Sequence, residues 1–499
     1  MAQFIGIDLG TQSVKVVVYD PEGHLLSCIS RDYHLLTPQL GFVEQDPEEW
    51  WLQTESAVRE AISQCRVPQV KAIGFSGQMH GLVLLDAQCS PICPAIIWAD
   101  QRSGTEVHQI REILGSRLAS IAGSDIATGF MAASLLWIKK HQPDLYHKAR
   151  WAILPKDYLK IKLGLPPSSD VADASSTLLF DINRRNWSEE ILEALELKPF
   201  LFPPIYESVD IIGQVSKAAQ DELGIRGDTY VAAGAGDQHC AALGNGIIND
   251  GDVLLTIGTG GQVFTPIPQP ITDPQLRIHT FCHAIPGSWH LLGASLCAGL
   301  SLSWFKKSVL DSKNQVFDYP ALDQEARLVA AGTNGLIFLP YLIGERTPHR
   351  DSSARGAFIN LHLTHQRGDL VRAIMEGVSM ALKDSLNIFQ ELGFNGNKFI
   401  FAGGGAKSPL WRSILSSFIE HPLQTTKVKE EAATGAALLA MVGSGHFAHF
   451  HEAVQQMIRY EPPVYPEDQW IPLYREQYHI FRCLYPALKE FFPHPFSEK

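Results

Sequence analysis

The chain has 499 residues, enough for roughly two or three domains that each bury a hydrophobic core. Its composition is ordinary for a globular protein, with 45% hydrophobic and 19% charged residues. The 53 acidic residues outnumber the 41 basic ones, and the formal net charge of −12 argues against a general nucleic-acid or acidic-membrane binder. A phosphate ligand remains compatible with this charge, because backbone N–H groups and one metal ion suffice to bind it.

The first predicted elements are two strands joined by a glycine turn. Residues 4–8 form a short apolar run, Gly10-Thr11 is a tight turn, and residues 14–19 are β-branched and apolar. A helix is predicted to start at Asp46-Pro47, with the aspartate as N-cap and the proline as first helical residue. Residues 71–76 form the next predicted strand. The chain therefore opens with strands and a helix in alternation.

A further strand is predicted over residues 229–235 and ends in Gly236-Asp237-Gln238, where a helix-like stretch begins. Glycine and asparagine cluster at residues 245–251, which places a domain boundary there. We therefore predict two domains, 1–246 and 247–499.

A second strand–turn–strand follows this boundary, with strands over residues 253–257 and 262–264. Its segment Thr256-Ile257-Gly258-Thr259 aligns with Asp8-Leu9-Gly10-Thr11 at an offset of 258 − 10 = 248 residues. The match suggests an internal duplication. Chance stays open as an explanation, since four positions match and strand-then-glycine turns are common.

Two familiar phosphate-binding motifs fail on inspection. Residues 402–408 resemble a P-loop, but Phe401 and Ala406 stand where that motif requires glycine. Gly234 and Gly258 each begin a dinucleotide-binding fingerprint that lacks its third glycine. The remaining plan is a pair of glycine turns that face each other across a cleft.

Three polar residues at predicted strand ends are candidates for chemistry. Asp8 either coordinates Mg²⁺ that bridges phosphate oxygens or bonds its own turn. Asp237 is either a helix N-cap or the base that accepts the proton of an attacking hydroxyl. His80, in Gly77-Gln78-Met79-His80-Gly81, either has a structural hydrogen bond or contacts a sugar. Trp98 and Trp137 are interpreted as core residues in preference to stacking platforms.

The eight cysteines have no zinc-site spacing, and the nearest pair, Cys89 and Cys93, has no neighbouring histidine, so we expect reduced thiols. The N-terminus reads as a first strand, and no apolar run approaches the roughly 20 residues that span a bilayer. We therefore expect a cytoplasmic protein that does not contact a membrane.

Together these segments resemble the FGGY carbohydrate kinases, and within that family the xylulokinase branch. No single motif is decisive, but their order and spacing over nearly the whole chain are specific. The matching segments are Gly6-Ile7-Asp8-Leu9-Gly10-Thr11, Glu44-Gln45-Asp46-Pro47 with Trp50-Trp51, Gly77-Gln78-Met79-His80-Gly81, Trp98-Ala99-Asp100-Gln101-Arg102, Leu154-Pro155-Lys156-Asp157-Tyr158-Leu159, Gly236-Asp237, Leu339-Pro340-Tyr341, Gly344-Glu345-Arg346-Thr347-Pro348-His349 and Gly403-Gly404-Gly405-Ala406. The resemblance favours the functional interpretation of Asp8, His80 and Asp237.

The resemblance implies an α/β fold with two RNase-H-like domains of the actin-like ATPase type around a central cleft. Residues 1–246 would hold the sugar and Mg²⁺, and residues 247–499 would hold the adenosine of ATP. The implied site residues are Asp237 as catalytic base, Asp8 for Mg²⁺, Met79, His80, Asp237 and Gln238 for the sugar, and Gly10, Thr11, Gln12, Gly258, Thr259, Gly260, Gly403, Gly404, Gly405 and Ala406 for ATP.

The implied reaction is transfer of the γ-phosphoryl group of ATP to the terminal hydroxyl of xylulose, giving xylulose 5-phosphate and ADP. Met79-His80 carries this substrate assignment, because glycerol kinases have an Arg-Glu pair there. Gln238 is less informative, since glycerol kinases share it. Ser134 and Asn360 depart from the family signatures, which usually have lysine and glycine at these places.

Three alternatives stay open at this point. One is a kinase of the same family that acts on ribulose, gluconate, fuculose or glycerol. Another is an actin-like assembly ATPase, and the last is a catalytically inactive sugar-binding regulator. The sequence also leaves the oligomeric state open, with a homodimer among the options.

Overall fold

Two mixed β-sheets flanked by helices organise the chain in the computed structural model, which describes residues 2–65, 69–312 and 315–492. The strands of the first half are β1 (Gln3–Leu9), β2 (Ser13–Tyr19), β3 (Leu25–Asp32), β4 (Glu44–Gln45), β5 (Val70–Gly77), β6 (Val83–Leu85), β7 (Ala95–Ile96), β8 (Trp151–Ile153), β9 (Ser169–Asp170), β10 (Phe180–Asp181), β11 (Asn186–Trp187), β12 (Ile205–Tyr206), β13 (Ile211–Gln214), β14 (Tyr230–Ala232) and β15 (Ala235–Gly236). Those of the second half are β16 (Asp252–Ile257), β17 (Gly261–Ile267), β18 (His279–Cys282), β19 (Trp289–Ser295), β20 (Ile337–Leu339), β21 (Ala357–Ile359), β22 (Lys398–Ala402) and β23 (Leu423–Gln424).

Helices cover the sheets and form most of the connections. The α-helices of the described residues are α1 (Pro47–Ser63), α2 (Gly104–Leu114), α3 (Met131–His141), α4 (Pro143–Lys148), α5 (Pro155–Lys162), α6 (Val171–Ser175), α7 (Glu189–Ala194), α8 (Lys217–Leu223), α9 (Asp237–Gly244), α10 (Gly299–Trp304), α11 (Tyr319–Arg327), α12 (Arg367–Glu391), α13 (Pro409–Ile419), α14 (Glu431–Gly443), α15 (Phe450–Met457) and α16 (Ile471–Leu488). Within this part of the chain no helix combines the length and the apolar character needed to cross a bilayer.

The first sheet brings the predicted acidic residues to one edge. Its strand order is β13-β14-β5-β1-β2-β3, and β15 also pairs with β5. Because β1 and β15 both run parallel to β5, Asp8 lies opposite Ser76 on one side and Ala235 lies opposite Ser76 on the other. The carboxyl ends of the three strands therefore meet at the same edge, where ligands of such sheets bind.

The second sheet repeats the central pattern of the first. Its order is β18-β19-β17-β16-β22-β23, with β16 antiparallel to β17 and parallel to β22. In the first sheet β1 is likewise antiparallel to β2 and parallel to β5. The two similar hairpins seen in the sequence thus occupy the equivalent place in each sheet, as an internal duplication requires.

Helix α14, from the second half of the chain, packs directly on the first sheet. A Cβ atom at Gly6 on β1 or at Gly74 on β5 would lie 1.9 Å from a carbonyl oxygen of α14, at Ala433 and Ala436 respectively. Only glycine therefore allows this approach of strand and helix backbones. The predicted domain division at residues 246 and 247 stays a prediction.

Most of the predicted elements are confirmed within one or two residues at their ends. The helix predicted at Asp46 begins there, and its carboxylate accepts the N–H of Glu48 at 2.9 Å. The prediction of a single strand over residues 229–235 is wrong, because the strand is interrupted between β14 and β15. Gly234 has a φ of 88°, and its N–H bonds the carbonyl of Ser208 in a loop, so the strand ladder stops there.

Candidate active site

Asp8 and Asp237 lie at the shared edge of the first sheet, on either side of β5. Asp8 lies on β1 and Asp237 directly follows β15, and these two strands are about 10 Å apart, since β5 lies between them. The hydroxyl of Ser76 donates to a carboxylate oxygen of Asp8 at 2.7 Å and orients it. Burial, followed by the charge of Asp8, raises the pKa of Asp237 to about 7. The two carboxylates therefore share one partly buried environment.

Asp237 is not the N-cap that one interpretation of the sequence proposed. The N-cap of α9 is Gly236, and Asp237 is the first helical residue. Its carboxylate lies beside Gln238, whose backbone and side chain both favour the ionised form. Asp237 is therefore not used as the helix cap, which leaves the role of a base open to it.

His80 forms one wall of the cleft and is held in one orientation. Its ring stacks on Phe130, with centroids 3.8 Å apart and planes 6° from parallel. Nδ1 lies 2.8 Å from the carbonyl oxygen of Ser176, and because a carbonyl only accepts, Nδ1 carries the hydrogen. Burial lowers the pKa of His80 to about 3, so the ring is neutral and Nε2 is an acceptor for a ligand hydroxyl.

Met79 and Gln78 differ in what they offer to the cleft. Met79 is 5% exposed and packs so closely on Gly236 that a Cβ there would lie 2.6 Å from its Cγ. Gln78 is fully buried and donates to the Gln45 side chain at 2.7 Å. Met79 thus shapes the floor beneath the start of α9 and presents little surface of its own.

Five ionisable side chains without solvent exposure lie behind β5 and next to the His80 wall: Lys156, Asp157, Lys160, Asp170 and Asp173. The ammonium of Lys156 is 2.6 Å from Asp170, 2.9 Å from Asp157 and 3.0 Å from Asp173. Three acids face two lysines, and burial holds the pKa of Asp173 well above its ordinary value. This buried ionic cluster fixes α5 to α6.

The cluster also supports the site directly. A Cβ at Gly77, at the end of β5, would lie 2.7 Å from the Cβ of Lys156. Asp170 caps α6 by accepting two backbone N–H groups, and the helix ends just before Ser176, whose carbonyl holds His80. The position of the His80 ring therefore depends on charges that it does not itself touch.

The first glycine turn joins β1 to β2 and is bordered by a tryptophan. The N–H of Gly10 donates to the carbonyl of Ser13 at 3.1 Å, while Thr11 and Gln12 are at least partly exposed. Trp98 donates from Nε1 to Thr11 Oγ1 at 2.8 Å and is 40% exposed. The interpretation of Trp98 as a core residue is therefore wrong, because it borders this turn.

The second glycine turn, residues 258–260, is packed against the glycine segment 403–406. Thr256 at the end of β16 lies opposite Ala402 at the end of β22, so both segments leave the same sheet edge. Gly403 has a φ of 79°, and a Cβ there would lie 2.6 Å from the carbonyl oxygen of Ile257. The exposed Thr259 follows directly. The sheet thus joins two segments that are 143 residues apart (403 − 260).

The start of α14 connects the two glycine-rich edges. Glu430 pairs with Lys15 at 2.7 Å, and Lys15 is the strand partner of Asp8. Glu431 lies beside the backbone of Gly403. The first turn with Asp8 and the second turn with its glycine segment therefore converge on one helix end.

Several residues of this site were missed by sequence reasoning. Ser76 orients Asp8, Phe130 and Ser176 hold His80, and Phe281 of the second sheet lies 6.3 Å from the His80 ring. None of them stands in a glycine turn or beside a candidate acid in the sequence. Their contacts join positions that are 50 to 201 residues apart (130 − 80 and 281 − 80), which no local pattern indicates.

Replacing Asp237 by asparagine should stabilise the metal-free protein at alkaline pH. The pKa of Asp237 is about 7 in the folded protein and 3.8 in the unfolded chain. Ionisation of Asp237 therefore does not lower the free energy of unfolding below about pH 4 and lowers it most above pH 7. Because Asp237 is partly exposed and solvent weakens the effect, we expect the free energy of unfolding of the asparagine variant at pH 8 to rise by about 1–3 kcal/mol.

The measurement is urea unfolding in EDTA at pH 5 and pH 8, and the gain should shrink by more than half at pH 5. Asp221→Asn, at an exposed position paired with Lys217, serves as the control and should show no such gain. A gain that is the same at both pH values would contradict the raised pKa.

Comparison with known proteins identifies the family. The profile of the FGGY family of carbohydrate kinases, N-terminal domain, matches residues 3–244, and that of the C-terminal domain matches residues 253–444. A xylulose kinase from Bacillus subtilis (strain 168) is 35% identical over 492 residues, covering 98% of each chain. A gluconokinase from the same organism is 30% identical over 464 residues, covering 91% of this chain and 90% of the relative.

The structures agree with the sequences. The crystal structure of a xyloylose kinase from Brucella ovis superposes with a TM-score of 0.91 at 30% identity, covering 98% of this chain and 100% of the other. The actin-like fold that the sequence resemblance implied is thereby confirmed. Matched profiles cover both halves of the chain, and the chain therefore belongs to the FGGY family of carbohydrate kinases.

Proposed function

We propose that the chain is an ATP-dependent xylulose kinase, which phosphorylates the terminal hydroxyl of D-xylulose and releases D-xylulose 5-phosphate and ADP. The observation that carries the proposal is the pair of acids on either side of β5, with a neutral histidine in the segment that follows this strand. The relatives support the sugar, since the xylulose kinase is more similar than the gluconokinase over more of the chain.

Asp237 is the proposed base. It accepts the proton of the terminal hydroxyl while the γ-phosphoryl group arrives in line on the other side of that oxygen. A pKa near 7 suits this task, because the carboxylate is ionised in a useful fraction and still holds a proton well. His80 and Gln238 orient the sugar, and Met79 sets the depth of the floor.

Asp8 is the proposed ligand of Mg²⁺. Burial raises the pKa of Asp8 despite the Ser76 hydrogen bond and the charge of Lys15, and the charge of Asp8 also acts on Asp237. A bound cation would therefore offset negative charge that the protein offsets only in part. No set of three His, Cys, Asp or Glu side chains is arranged for a metal in the part of the chain described, which fits an ion that takes few protein ligands and several phosphate or water oxygens. When bound, Mg²⁺ would offset the charge of the phosphate oxygens.

ATP is proposed to lie along the two glycine turns. Backbone N–H groups of Gly10, Thr11 and Gln12 on one side and of residues 258–260 on the other would approach its phosphates. The segment 403–406 would hold the adenosine, because it flanks the second turn. In this arrangement residues 1–246 supply the sugar and Mg²⁺ contacts, and residues 247–499 supply those to the nucleotide base.

The proposal is tested by a sugar panel with purified protein, ATP and Mg²⁺, in which ADP release is followed by a coupled assay. The panel contains xylulose, ribulose, gluconate, fuculose and glycerol. We expect the highest kcat/KM with xylulose. A higher value with another acceptor would move the assignment within the family, whereas ATP turnover that needs no sugar, with filaments, would indicate an assembly ATPase.

Replacing His80 by alanine should weaken sugar binding selectively. The loss of one buried hydrogen-bond acceptor and of its stacked ring should raise the KM for xylulose by about 10–100-fold and change the KM for ATP by less than about threefold. Steady-state kinetics with each substrate varied in turn measures both values. His147→Ala, at an exposed histidine bonded to the Pro143 carbonyl, is the matched control. Equal losses for sugar and ATP would contradict the assigned contact.

A further inference from the structure

Arg346 is partly buried, and its guanidinium forms neither a hydrogen bond nor an ion pair with any of the described residues. Burial lowers the pKa of Arg346 despite the neighbouring charge of Glu345. Other arginines with little exposure are paired: Arg102, Arg185 and Arg372 each lie 2.7–2.8 Å from a carboxylate. A partly buried cation without a partner is costly, so a ligand that supplies acceptors would explain why the charge is there.

The backbone on both sides of Arg346 is fixed to the end of β19. The carboxylate of Glu345 accepts the Ser295 hydroxyl at 2.6 Å and the next backbone N–H at 2.9 Å. The N–H of Thr347 donates to the carbonyl of Ala294 at 2.9 Å, and the N–H of Ala294 donates to the hydroxyl of Thr347 at 3.1 Å. Because Glu345 and Thr347 are both buried and hydrogen-bonded, the backbone of the intervening Arg346 is held in place.

The segment around Arg346 is bonded to the chain that leads into β18, and β18 faces His80. The Thr347 hydroxyl donates at 2.9 Å to the carbonyl two residues before His279. The ring of His279 stacks with that of Phe281 at 5.4 Å, which in turn lies 6.3 Å from the ring of His80. The charge of Arg346 accordingly adds to burial in lowering the pKa of both histidines.

The cleft therefore has ends of opposite charge. Asp8 and Asp237 influence each other at the reacting end, whereas Arg346 influences His80 from the second half of the chain. Under the proposed function, a sugar with its terminal hydroxyl at Asp237 would extend past His80 and bring its far end toward Arg346.

We infer that Arg346 determines specificity by donating hydrogen bonds to the C1–C2 keto-alcohol end of an open-chain ketose, an inference that rests on the proposed function. A guanidinium presents several N–H donors in a flat fork, and a carbonyl oxygen next to a hydroxyl oxygen offers adjacent acceptors to it. Charge-assisted bonds of this kind are about twice as strong as neutral ones. An alditol of the same length has a hydroxyl at C2 and is a weaker acceptor there.

The test compares the binding of two ligands to two proteins, in the manner of a double-mutant cycle. Binding of D-xylulose and of xylitol is measured by calorimetry for the wild type and for Arg346→Ala. We expect Kd to rise about 10–100-fold for xylulose and less than about threefold for xylitol, so the preference for the ketose collapses. Arg346→Gln, which keeps a neutral donor, should fall between the two and replaces the alanine variant if that one does not fold.

Arg355→Ala is the matched control, because it removes an exposed arginine from the same segment and should leave both affinities unchanged. Equal weakening of xylulose and xylitol would overturn the inference, since Arg346 would then only shape the cleft. So would a loss that is larger for gluconate than for xylulose, since the site would then be built for a carboxylate. Failure of the proposed function shows separately, as a wild type that does not turn over xylulose.

Discussion

Asp237→Asn should lower kcat with xylulose by about 10²–10⁴-fold, because a general base contributes that much to proton transfer. The Kd for the sugar, measured by calorimetry without nucleotide, should change by less than about threefold, since the amide keeps the shape and most of the hydrogen bonding of the carboxylate. Rapid-quench and steady-state assays both report this loss. Because the substitution slows the chemical step, the single-turnover rate should fall by the same factor as the steady-state kcat.

Asp221→Asn again provides the comparison, because it removes a carboxylate from the exposed surface. It should retain wild-type kcat. An Asp237→Asn protein that is folded and keeps near-normal turnover would remove Asp237 from the reaction, and another base would have to be sought at the same sheet edge.

Lys156→Met should lower the free energy of unfolding by about 3–5 kcal/mol, the range seen when one partner of a buried ion pair is removed. Three buried carboxylates would then face the single ammonium of Lys160. Sugar affinity should fall as well, because the cluster supports α6 and, through the Ser176 carbonyl, the ring of His80. Urea denaturation and calorimetric titration with xylulose measure the two effects.

Lys162→Met is the matched control, since it lies on the same helix and also pairs with a carboxylate at 2.9 Å, that of Glu48, but at the surface. Exposed pairs contribute about 0–1 kcal/mol, so little change is expected. Addition of Asp173→Asn to Lys156→Met should restore part of the stability by removing one unpaired acid. Equal losses for the two lysine variants would contradict the importance of burial.

The strands and turns that carry the acids could be predicted from the sequence because their signals are local. Apolar or β-branched runs next to a glycine turn indicated β1, β2 and β16, and the aspartate–proline pair indicated the start of α1. Asp8 and Asp237 stand at the ends of such runs. Their meeting at one edge follows from parallel pairing with β5, which the sequence resemblance implied and local periodicity did not show.

The supporting contacts could not be predicted, because they depend on pairs far apart in the chain. Trp98 is large and apolar and was therefore interpreted as a core residue. Its Nε1 donates to Thr11, which is 87 residues away in the chain, and its ring is 40% exposed. Gly234 interrupts an apolar run that reads as one strand, because a loop at residues 208–210 takes over its backbone bonds. Nothing in the sequence around Arg346 indicates that its charge lacks a partner.

The packing of α14 against Gly6 and Gly74 has a consequence for how the protein is made. A ribosome that has released residue 246 has completed every strand of the first sheet, but the helix that covers this face is encoded almost 200 residues later (443 − 246 = 197). Until α14 is synthesised, the growing polypeptide has an exposed apolar surface whose shape is complementary to that helix. A chain truncated at that point should therefore aggregate, and the two gene halves should yield active enzyme only when expressed together.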